Sequence, residues 1–233
     1  MRKSLRGAGL LLAAGLLSGA IACSLTRVTF DLPSQTYNFD TSMSGLPAAP
    51  AGSTFPTIPC GADGDCCTLA GAAGYTCSST LMLSCPAGSC EAQVPESTHS
   101  SVNLAMQVGQ LATFPGHSLV NVSIQSINYT VSNNTLNVDL PPISIYLAPD
   151  GVTDPNDPSA ELFGTVPPIP AGTNPSGNVQ KTSNADAVFE KYTKNVSQTF
   201  NIIAAATVVI DGGSPVPNGR ITVTVGGTIS AQL

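Results

Sequence analysis

The sequence predicts a mainly β protein: an antiparallel β-sandwich with one short helix, joined to a small disulfide-rich module. Two observations support this fold class. From residue 101 onward, apolar residues occupy every second position in a series of short runs, as in strands with one buried face. Gly, Pro, Asn and Asp separate most of these runs, which indicates turns between antiparallel strands. We expect about seven to nine strands, with an early strand near Val28 joining them.

The predicted strands are defined by their alternating apolar residues. They cover residues 102–108, 120–124, 127–131, 136–140, 143–147 and 221–225. The alternation changes phase between the second and third runs, which predicts a β-bulge near Gln125 and Ser126. Residues 200–210 are apolar at both parities, so they are predicted to form a central strand buried on both faces. The side chains expected in the core are Phe200, Ile202, Val208, Ile210 and Val223.

One segment, residues 184–194, has helical periodicity. Its apolar residues are Ala185, Val188, Phe189 and Tyr192. Their i, i+3, i+4, i+7 spacing places them on one face of a helix. Ser183, followed three residues later by Asp186, has the spacing of a capping box. We therefore predict a short helix that packs its apolar stripe against the sheet.

A cysteine-rich segment precedes the predicted sandwich. Its cysteines are Cys60, Cys66, Cys67, Cys77, Cys85 and Cys90. Few large apolar residues lie between them, so disulfides rather than a hydrophobic core are expected to stabilise it. Six cysteines allow 15 pairings, and the adjacent Cys66 and Cys67 should have different partners. A zinc site is the alternative, but the paired C-x2-C spacing typical of zinc sites is absent.

The N-terminus has the organisation of an export signal. Basic residues at positions 2, 3 and 6 precede a leucine-rich apolar run, and the A-x-A sequence at positions 20–22 forms a cleavage site with small residues at 20 and 22. The apolar run is too short to span a bilayer comfortably, which takes about 20 residues. The next residue is Cys23. Residues 20–23 resemble the lipobox of bacterial lipoproteins, although Ala20 stands where that family usually has Leu.

The lipobox resemblance implies that Cys23 becomes the lipid-bearing first residue and anchors the mature chain in a membrane. Ser24, rather than Asp, implies sorting to the outer membrane. Ordinary signal cleavage at the same bond is the alternative. Cysteine parity favours lipidation: the chain has seven cysteines, and with Cys23 acylated the other six can all pair, whereas an unpaired exported thiol is a liability.

These observations divide the chain into five segments. We predict a signal peptide at 1–22, the lipid attachment and first strand at 23–44, a Pro/Ala-rich extended linker at 45–59, a cysteine-rich module at 60–95, and the sandwich at 96–233. Because the first strand is expected to join the sandwich, the linker and the module form a long insertion. The sandwich contains no cysteine, so we expect it to hold without the disulfides.

Three runs resemble the type-2 late-embryogenesis-abundant domain, also called the water-stress and hypersensitive-response domain. They cover residues 127–136, 140–147 and 163–172. The resemblance implies an immunoglobulin-like sandwich and a non-enzymatic, desiccation-related or membrane-associated role. Two features depart from that family: Asn133-Asn134 replaces its common Asn-Pro dipeptide, and the cysteine-rich module is foreign to it.

Composition excludes several functions. The net charge is −6 and the pI about 4.6, and without a basic stripe the chain has no means to neutralise nucleic-acid phosphates. Phosphate-loop, dinucleotide and H-E-x-x-H motifs are absent from the sequence, so we predict no cofactor. The two histidines are His99 and His117. His117 beside Ser118 lacks the setting of a nucleophile elbow, and we predict no catalytic residues.

One acidic loop has the composition of a calcium site. Its candidate ligands are Asp150, Asp154, Asn156 and Asp157, which offer the hard oxygen atoms that Ca²⁺ prefers. Asp63 and Asp65 form a weaker second candidate. The alternative interpretation is that Asp, Asn, Pro and Gly simply build turns in both loops.

The favoured function is an exported, lipid-anchored binding or structural lipoprotein of the outer membrane, without catalytic activity. Its expected partners are the membrane, through the anchor, and an unidentified protein or lipid ligand. One alternative is a tubular lipid-binding or lipid-shuttling protein, in which residues 200–210 would line an apolar groove. A second is a surface adhesin that binds sugar or calcium.

Overall fold

The computed structural model describes residues 27–41, 46, 52–75, 77–78, 80–112 and 120–232. The strands in these residues are β1 (Arg27–Asp40), β2 (Met82–Ser84), β3 (Glu91–Asn103), β4 (Val120–Ser132), β5 (Ile143–Pro149), β6 (Glu161–Val166), β7 (Ser176–Asn178), β8 (Gln180–Lys181), β9 (Thr199–Ile210) and β10 (Arg220–Gln232). The helical segments are α1 (Asp63–Gly71), α2 (Leu104–Gln107), α3 (Gly109–Ala112) and α4 (Ala185–Thr193). None of these helices is long and apolar enough to cross a bilayer.

The strands form two antiparallel sheets packed as a sandwich, which confirms the predicted fold class. One sheet has the order β1-β10-β4-β7, and the other has the order β2-β3-β9-β5-β6-β8. β1 pairs with β10 from Arg27 opposite Gln232 to Asp40 opposite Arg220. The early strand therefore joins the sandwich, as expected. The chain between β1 and β3 carries the cysteine-rich module out of the sandwich and back into it.

The predicted bulge in β4 is confirmed. On β10, Thr228 lies opposite Ser126 and Ile229 lies opposite Ile124, so Gln125 has no opposite residue in the pairing. The extra residue returns the apolar side chains after it to the buried face, because successive strand residues point to opposite faces. Ile124 and Ile127 are both buried in consequence.

The predicted strand at residues 136–140 is wrong. This segment is an irregular loop in which Leu140 forms an isolated bridge with Ile169. The buried side chain of Asn134 organises it: Nδ2 donates to the carbonyls of Pro170 (3.1 Å) and Thr173 (2.7 Å), and Oδ1 accepts from the amide of Leu136 (3.1 Å). Side-chain amides that bond to the backbone offer it an alternative to a ladder. The alternating apolar residues are nevertheless buried at Leu136 and Leu140.

The predicted strand at residues 102–108 is also wrong beyond Asn103, where β3 ends and α2 begins. Asn103 Oδ1 accepts a hydrogen bond from the Met106 amide at 3.1 Å, and this side-chain cap favours a helical turn over a continued strand.

The main core lies between the two sheets. Phe200, Ile210 and Val223 are buried as predicted, whereas Ile202 and Val208 are only partly buried. β9 lies between β3 and β5, and near its start both faces are covered. Its outer face is covered there by the loop after β5, where Asn201 Nδ2 donates to the Val152 carbonyl at 2.9 Å. Towards its end the outer face is exposed, so the prediction of burial on both faces holds for only part of the strand.

The helix predicted over residues 184–194 is α4, and its apolar stripe is buried as expected. It packs against β4, β5 and β6, with the ring centroids of Tyr192 and Phe200 5.7 Å apart. The predicted cap is wrong: Asn184 is the N-cap residue and makes no side-chain cap bond. Asp186 instead forms a 3.3 Å ion pair with Lys181, because β8 ends at Lys181, next to the first turn of the helix.

The cysteine-rich module contains three disulfides: Cys60–Cys85, Cys66–Cys90 and Cys67–Cys77. The prediction that neighbouring Cys66 and Cys67 bond to different partners is confirmed. The module also contains the nine-residue helix α1. One helix was expected, and the described residues contain two of this length, α1 and α4. Little amphipathic periodicity marks α1 in the sequence, and two of the disulfides begin in it at Cys66 and Cys67.

The expectation that the module has no hydrophobic core is wrong. A second buried cluster contains Phe55, Cys66, Ala70, Tyr75, Leu81, Leu83, Cys90, Ala92, Val94, Ile210 and Val216. Phe55 comes from the preceding segment, and Ile210 and Val216 come from the end of β9 and the loop after it. The composition of residues 60–90 alone could not reveal these contributions. β3 also runs without a break across positions 95 and 96, so the module and the sandwich share a strand.

The register of the core can be tested with two substitutions, one on a strand of each sheet. Phe200→Ala should destabilise the protein by about 3–5 kcal/mol, because a nearly fully buried ring is replaced by a cavity. Thr222→Ala, on the opposite face from Val223, removes only an exposed hydrogen bond to Asn38 and should cost about 0.5 kcal/mol or less. Thermal denaturation of both variants measures the difference. A larger loss for Thr222→Ala would mean that the strand faces are inverted.

Candidate functional site

A groove of about 550 Å³ lies on the outer face of the six-stranded sheet. Its floor is a row of small residues on three adjacent strands: Ala205 of β9 lies opposite Ser97 of β3 on one side and opposite Ser144 of β5 on the other. Successive strand residues point to opposite faces, so these three side chains share the outer face. Their small size leaves the floor low between taller neighbours, and this produces the concavity.

The loop after β5 forms one wall of the groove through Asp154, Pro155 and Asn156. Asp154 Oδ1 accepts hydrogen bonds from the Asn156 amide (2.9 Å) and from Asn156 Nδ2 (3.2 Å). The same loop is tied to β9 by the Asn201–Val152 hydrogen bond. The wall is therefore held in place by its own contacts, as is usual for binding sites that are largely formed before a ligand arrives.

The rest of the lining is polar or rigid. Hydroxyl groups come from Thr80, Ser97, Ser144, Tyr146 and Thr207, and prolines from Pro95, Pro142 and Pro155. Lys, Arg and His do not occur among the described residues that line the groove. Thr80 belongs to the cysteine-rich module, so the module contributes to the rim. This combination can hydrogen-bond to neutral polar groups but offers no cation to an anionic ligand.

The candidate calcium residues are only partly brought together. Asp154 and Asn156 line the groove, whereas Asp150 and Asp157 do not. Asp157 Oδ1 instead accepts from the amide (2.8 Å) and the hydroxyl (2.6 Å) of Ser159. These bonds lower the pKa of Asp157, the side-chain bond having the larger effect. The carboxylates therefore serve turns, and a calcium site in this loop stays a prediction.

The other sequence candidates are scattered. Asp65 Oδ2 accepts from the amides of Gly61 (3.3 Å) and Ala62 (3.2 Å), and the side chain of Asp63 lies outside the described part. His99 is exposed on the outer face of β3. Cys23, His117 and Ser118 lie outside the described residues.

Metal-ligand atoms come together at one place in the described part of the chain. Cys60, Cys66 and Cys85 place one ligand atom each within 4.8 Å of one another. All three cysteines are in disulfides, so their sulfur atoms are not the thiolates that bind zinc.

An apolar cavity of about 50 Å³ lies between the sheets, near the bulge in β1 between Leu32 and Gln35. Its lining includes Phe163, Phe189 and Phe200. An engineered apolar cavity of about 150 Å³ binds a single benzene molecule. The cavity that these described residues enclose is about a third of that size, so this cavity has no room for an acyl chain.

Glu96 is an unexpected carboxyl group on the inner face of β3. Glu96 lies two residues after the buried Val94, so both side chains point to the inner face of β3. Glu96 and Asp40 both line a cleft at the edge of the two sheets. Burial raises the pKa of Glu96, and the charge of Asp40 raises it further. The sequence signal is a glutamate in the apolar phase of a strand. An inward-pointing charge near an open strand edge opposes pairing with another chain, and in the described residues β3 is paired only with β9 beyond Gln93.

Comparisons with known proteins do not identify a family. No family model matches the chain, and no curated protein matches it. A chain from a structure of turnip yellow mosaic virus is 12% identical, with 99% of this chain and 90% of that chain covered and a TM-score of 0.28. A chain of Desmodium yellow mottle tymovirus is 12% identical, with 100% and 94% covered and a TM-score of 0.23. Similarities this weak carry no functional argument.

The raised pKa of Glu96 predicts that the effect of Glu96→Gln on stability depends on pH. The pKa of Glu96 is raised in the folded state, so the protonated side chain stabilises the fold relative to the ionised one. This stabilisation is present at low pH and is lost as pH rises through the folded-state pKa. The variant should therefore melt at a higher temperature than wild type at pH 7, and the difference should shrink towards pH 4. Asp211→Asn, which removes a charge from an exposed turn, is the control. Equal melting temperatures for Glu96→Gln and wild type at pH 7 would contradict the prediction.

Proposed function

We propose that this chain is an exported, lipid-anchored binding protein of the outer membrane, without catalytic activity, attached through Cys23. The observation that carries the proposal is cysteine pairing. The sequence has seven cysteines, and six of them pair with one another in three disulfides. Such disulfides persist in oxidising compartments outside the cytoplasm. Cys23 is the cysteine left over, and it stands at the lipobox-like cleavage site.

Attachment through Cys23 would bring one end of the sandwich to the membrane. Arg27, where β1 begins, follows Cys23 by four residues, so an extended tether reaches at most about 14 Å. The end of the sandwich that carries Arg27 and Gln232 would therefore lie close to the bilayer. β1 then extends about 40 Å to Asp40, at the opposite end.

The groove lies in the half of the molecule away from this anchor. Asp40 of β1 faces Glu96 of β3, and the Tyr37 hydroxyl is 3.4 Å from that of Ser100, so the two strands run in opposite directions. Ser97, on the groove floor, is therefore level with the far end of β1. The cysteine-rich module joins β3 at Glu91, farther still from the anchor. A tethered protein with this geometry would present the groove and the module to solvent.

The lipid-shuttling alternative receives less support. It needs an apolar space large enough for an acyl chain, and the cavity between the sheets measures about 50 Å³. The resemblance to the type-2 late-embryogenesis-abundant domain agrees with the proposal in its sandwich fold and in a non-enzymatic role. A binding module with a polar outer groove fits these observations better than a carrier of lipid.

Replacing Cys23 tests the anchor. Cys23→Ser should move most of the protein from the membrane fraction to the soluble fraction and abolish labelling by a palmitate analogue, because the acylated thiol is removed. Ser24→Asp is the matched variant. It should keep the label but shift the protein from the outer to the inner membrane in fractionated cells. A wild-type protein that fails to take up the label would refute lipid anchoring.

A further inference from the structure

We propose that the outer-face groove binds an uncharged oligosaccharide. This inference deepens the proposed function, since it rests on the groove being the binding surface of the exported protein, and it names the class of ligand. The site is the trough over Ser97, Ala205 and Ser144, bounded by Tyr146 and the loop that carries Asp154 and Asn156. Its volume of about 550 Å³ is within the usual range for small-molecule sites.

The floor of the groove excludes recognition by strand addition. β9 is paired with β3 on one side and with β5 on the other, so the backbone groups beneath the groove are already used in the sheet. An extended peptide adds to a sheet through unpaired backbone at an edge, and the middle of a sheet offers none. A ligand held here must therefore be recognised by side chains, which favours one rich in its own hydrogen-bonding groups.

The charges around the groove exclude an anionic ligand. The described lining contains no basic side chain, and the whole chain carries a net charge of −6. The lining also offers little to a cation. Asp154 already accepts two hydrogen bonds from Asn156 through Oδ1. The Glu96 side chain points to the inner face of β3, like that of Val94, and its carboxyl group lies near the charge of Asp40. A neutral polar ligand is the class that remains.

The side chains match the two kinds of surface that a sugar presents. A pyranose ring has hydroxyl groups around its edge and C–H groups on its faces. The hydroxyls of Ser97, Ser144 and Thr207 can donate and accept, and the free oxygen of Asp154 can accept. Tyr146, half-buried beside the floor, offers an aromatic face with a polar tip. Pro95, Pro142 and Pro155 add rigid apolar surface, which loses little conformational entropy on binding.

The proposal is tested with the purified, oxidised full chain on an array of neutral hexose and N-acetylhexosamine oligosaccharides. The same array carries sialylated and sulfated glycans, proline-rich peptides and a polyamine as charged and peptidic probes. We expect binding to one or more neutral oligosaccharides, confirmed by calorimetry. Binding to charged probes or peptides alone, or to no probe at all, would overturn the proposal.

Two variants locate the binding. Tyr146→Ala removes the aromatic face and should weaken binding about tenfold or more, and Ala205→Gln should weaken it by filling the floor. Thr222→Ala, on the other sheet, is the control and should bind as wild type does. Melting temperatures show whether each variant folds, and Asn156→Ala replaces Ala205→Gln if that variant is unstable. Wild-type affinity in folded Tyr146→Ala and in the second folded variant, Ala205→Gln or Asn156→Ala, would place the ligand elsewhere and overturn the proposal.

The same measurements separate this inference from the proposed function. Failure of sugar binding with intact labelling of Cys23 overturns only the ligand class. Loss of labelling with intact sugar binding overturns only the anchor. Mass spectrometry of the bound oligosaccharide should show it unchanged after incubation, and cleavage of a glycosidic bond would contradict the non-catalytic part of the proposed function.

Discussion

The pairing of β1 with β10 is the constraint on which the rest of the structure depends. It joins Arg27 to Gln232 and Asp40 to Arg220 across nearly the whole described chain, and β10 in turn holds β4. Without this pairing the four-stranded sheet would lose its edge strand. The core would then lose the buried side chains that β1 contributes, Phe30, Tyr37 and Phe39. Contacts this distant in sequence carry a large loop-closure cost, so the apolar burial between the sheets must offset it.

The module and the groove both follow from how the chain returns after β1. It leaves at Asp40, forms the disulfide-linked segment, and re-enters the sandwich through β3. β3 therefore serves both parts: Ala92 and Val94 belong to the module's cluster, and Val102 belongs to the main core. On its outer face the same strand supplies the edge of the groove. The disulfides thus hold a part of the molecule that borders the groove through Thr80.

Local patterns in the sequence predicted most of the sandwich. Strand alternation at residues 120–131, 143–147 and 221–225, the bulge at Gln125 and the apolar stripe of α4 are short-range signals, and the structure confirms them. The same alternation was misleading at residues 136–140, which form a loop, and at residues 104–107, which form α2. What depends on distant residues was not predictable. The disulfide pairing is one of many allowed by six cysteines, and the module's cluster draws Ile210 from the end of the sandwich strand β9. The groove floor is made of serine and alanine, whose small size carries no signal until the strands are aligned.

Hydrogen–deuterium exchange with and without reductant tests the dependence on β1–β10 most directly. The sandwich contains no disulfide of its own, so the amides that bond between β1 and β10 should keep their protection when the disulfides are reduced. Amides of α1 and β2 should lose protection under the same conditions, because Cys66, Cys67 and Cys85 no longer restrain that segment. Loss of protection in β1 and β10 at the same reductant concentration would show that the disulfides, and not the strand pairing, hold the fold together.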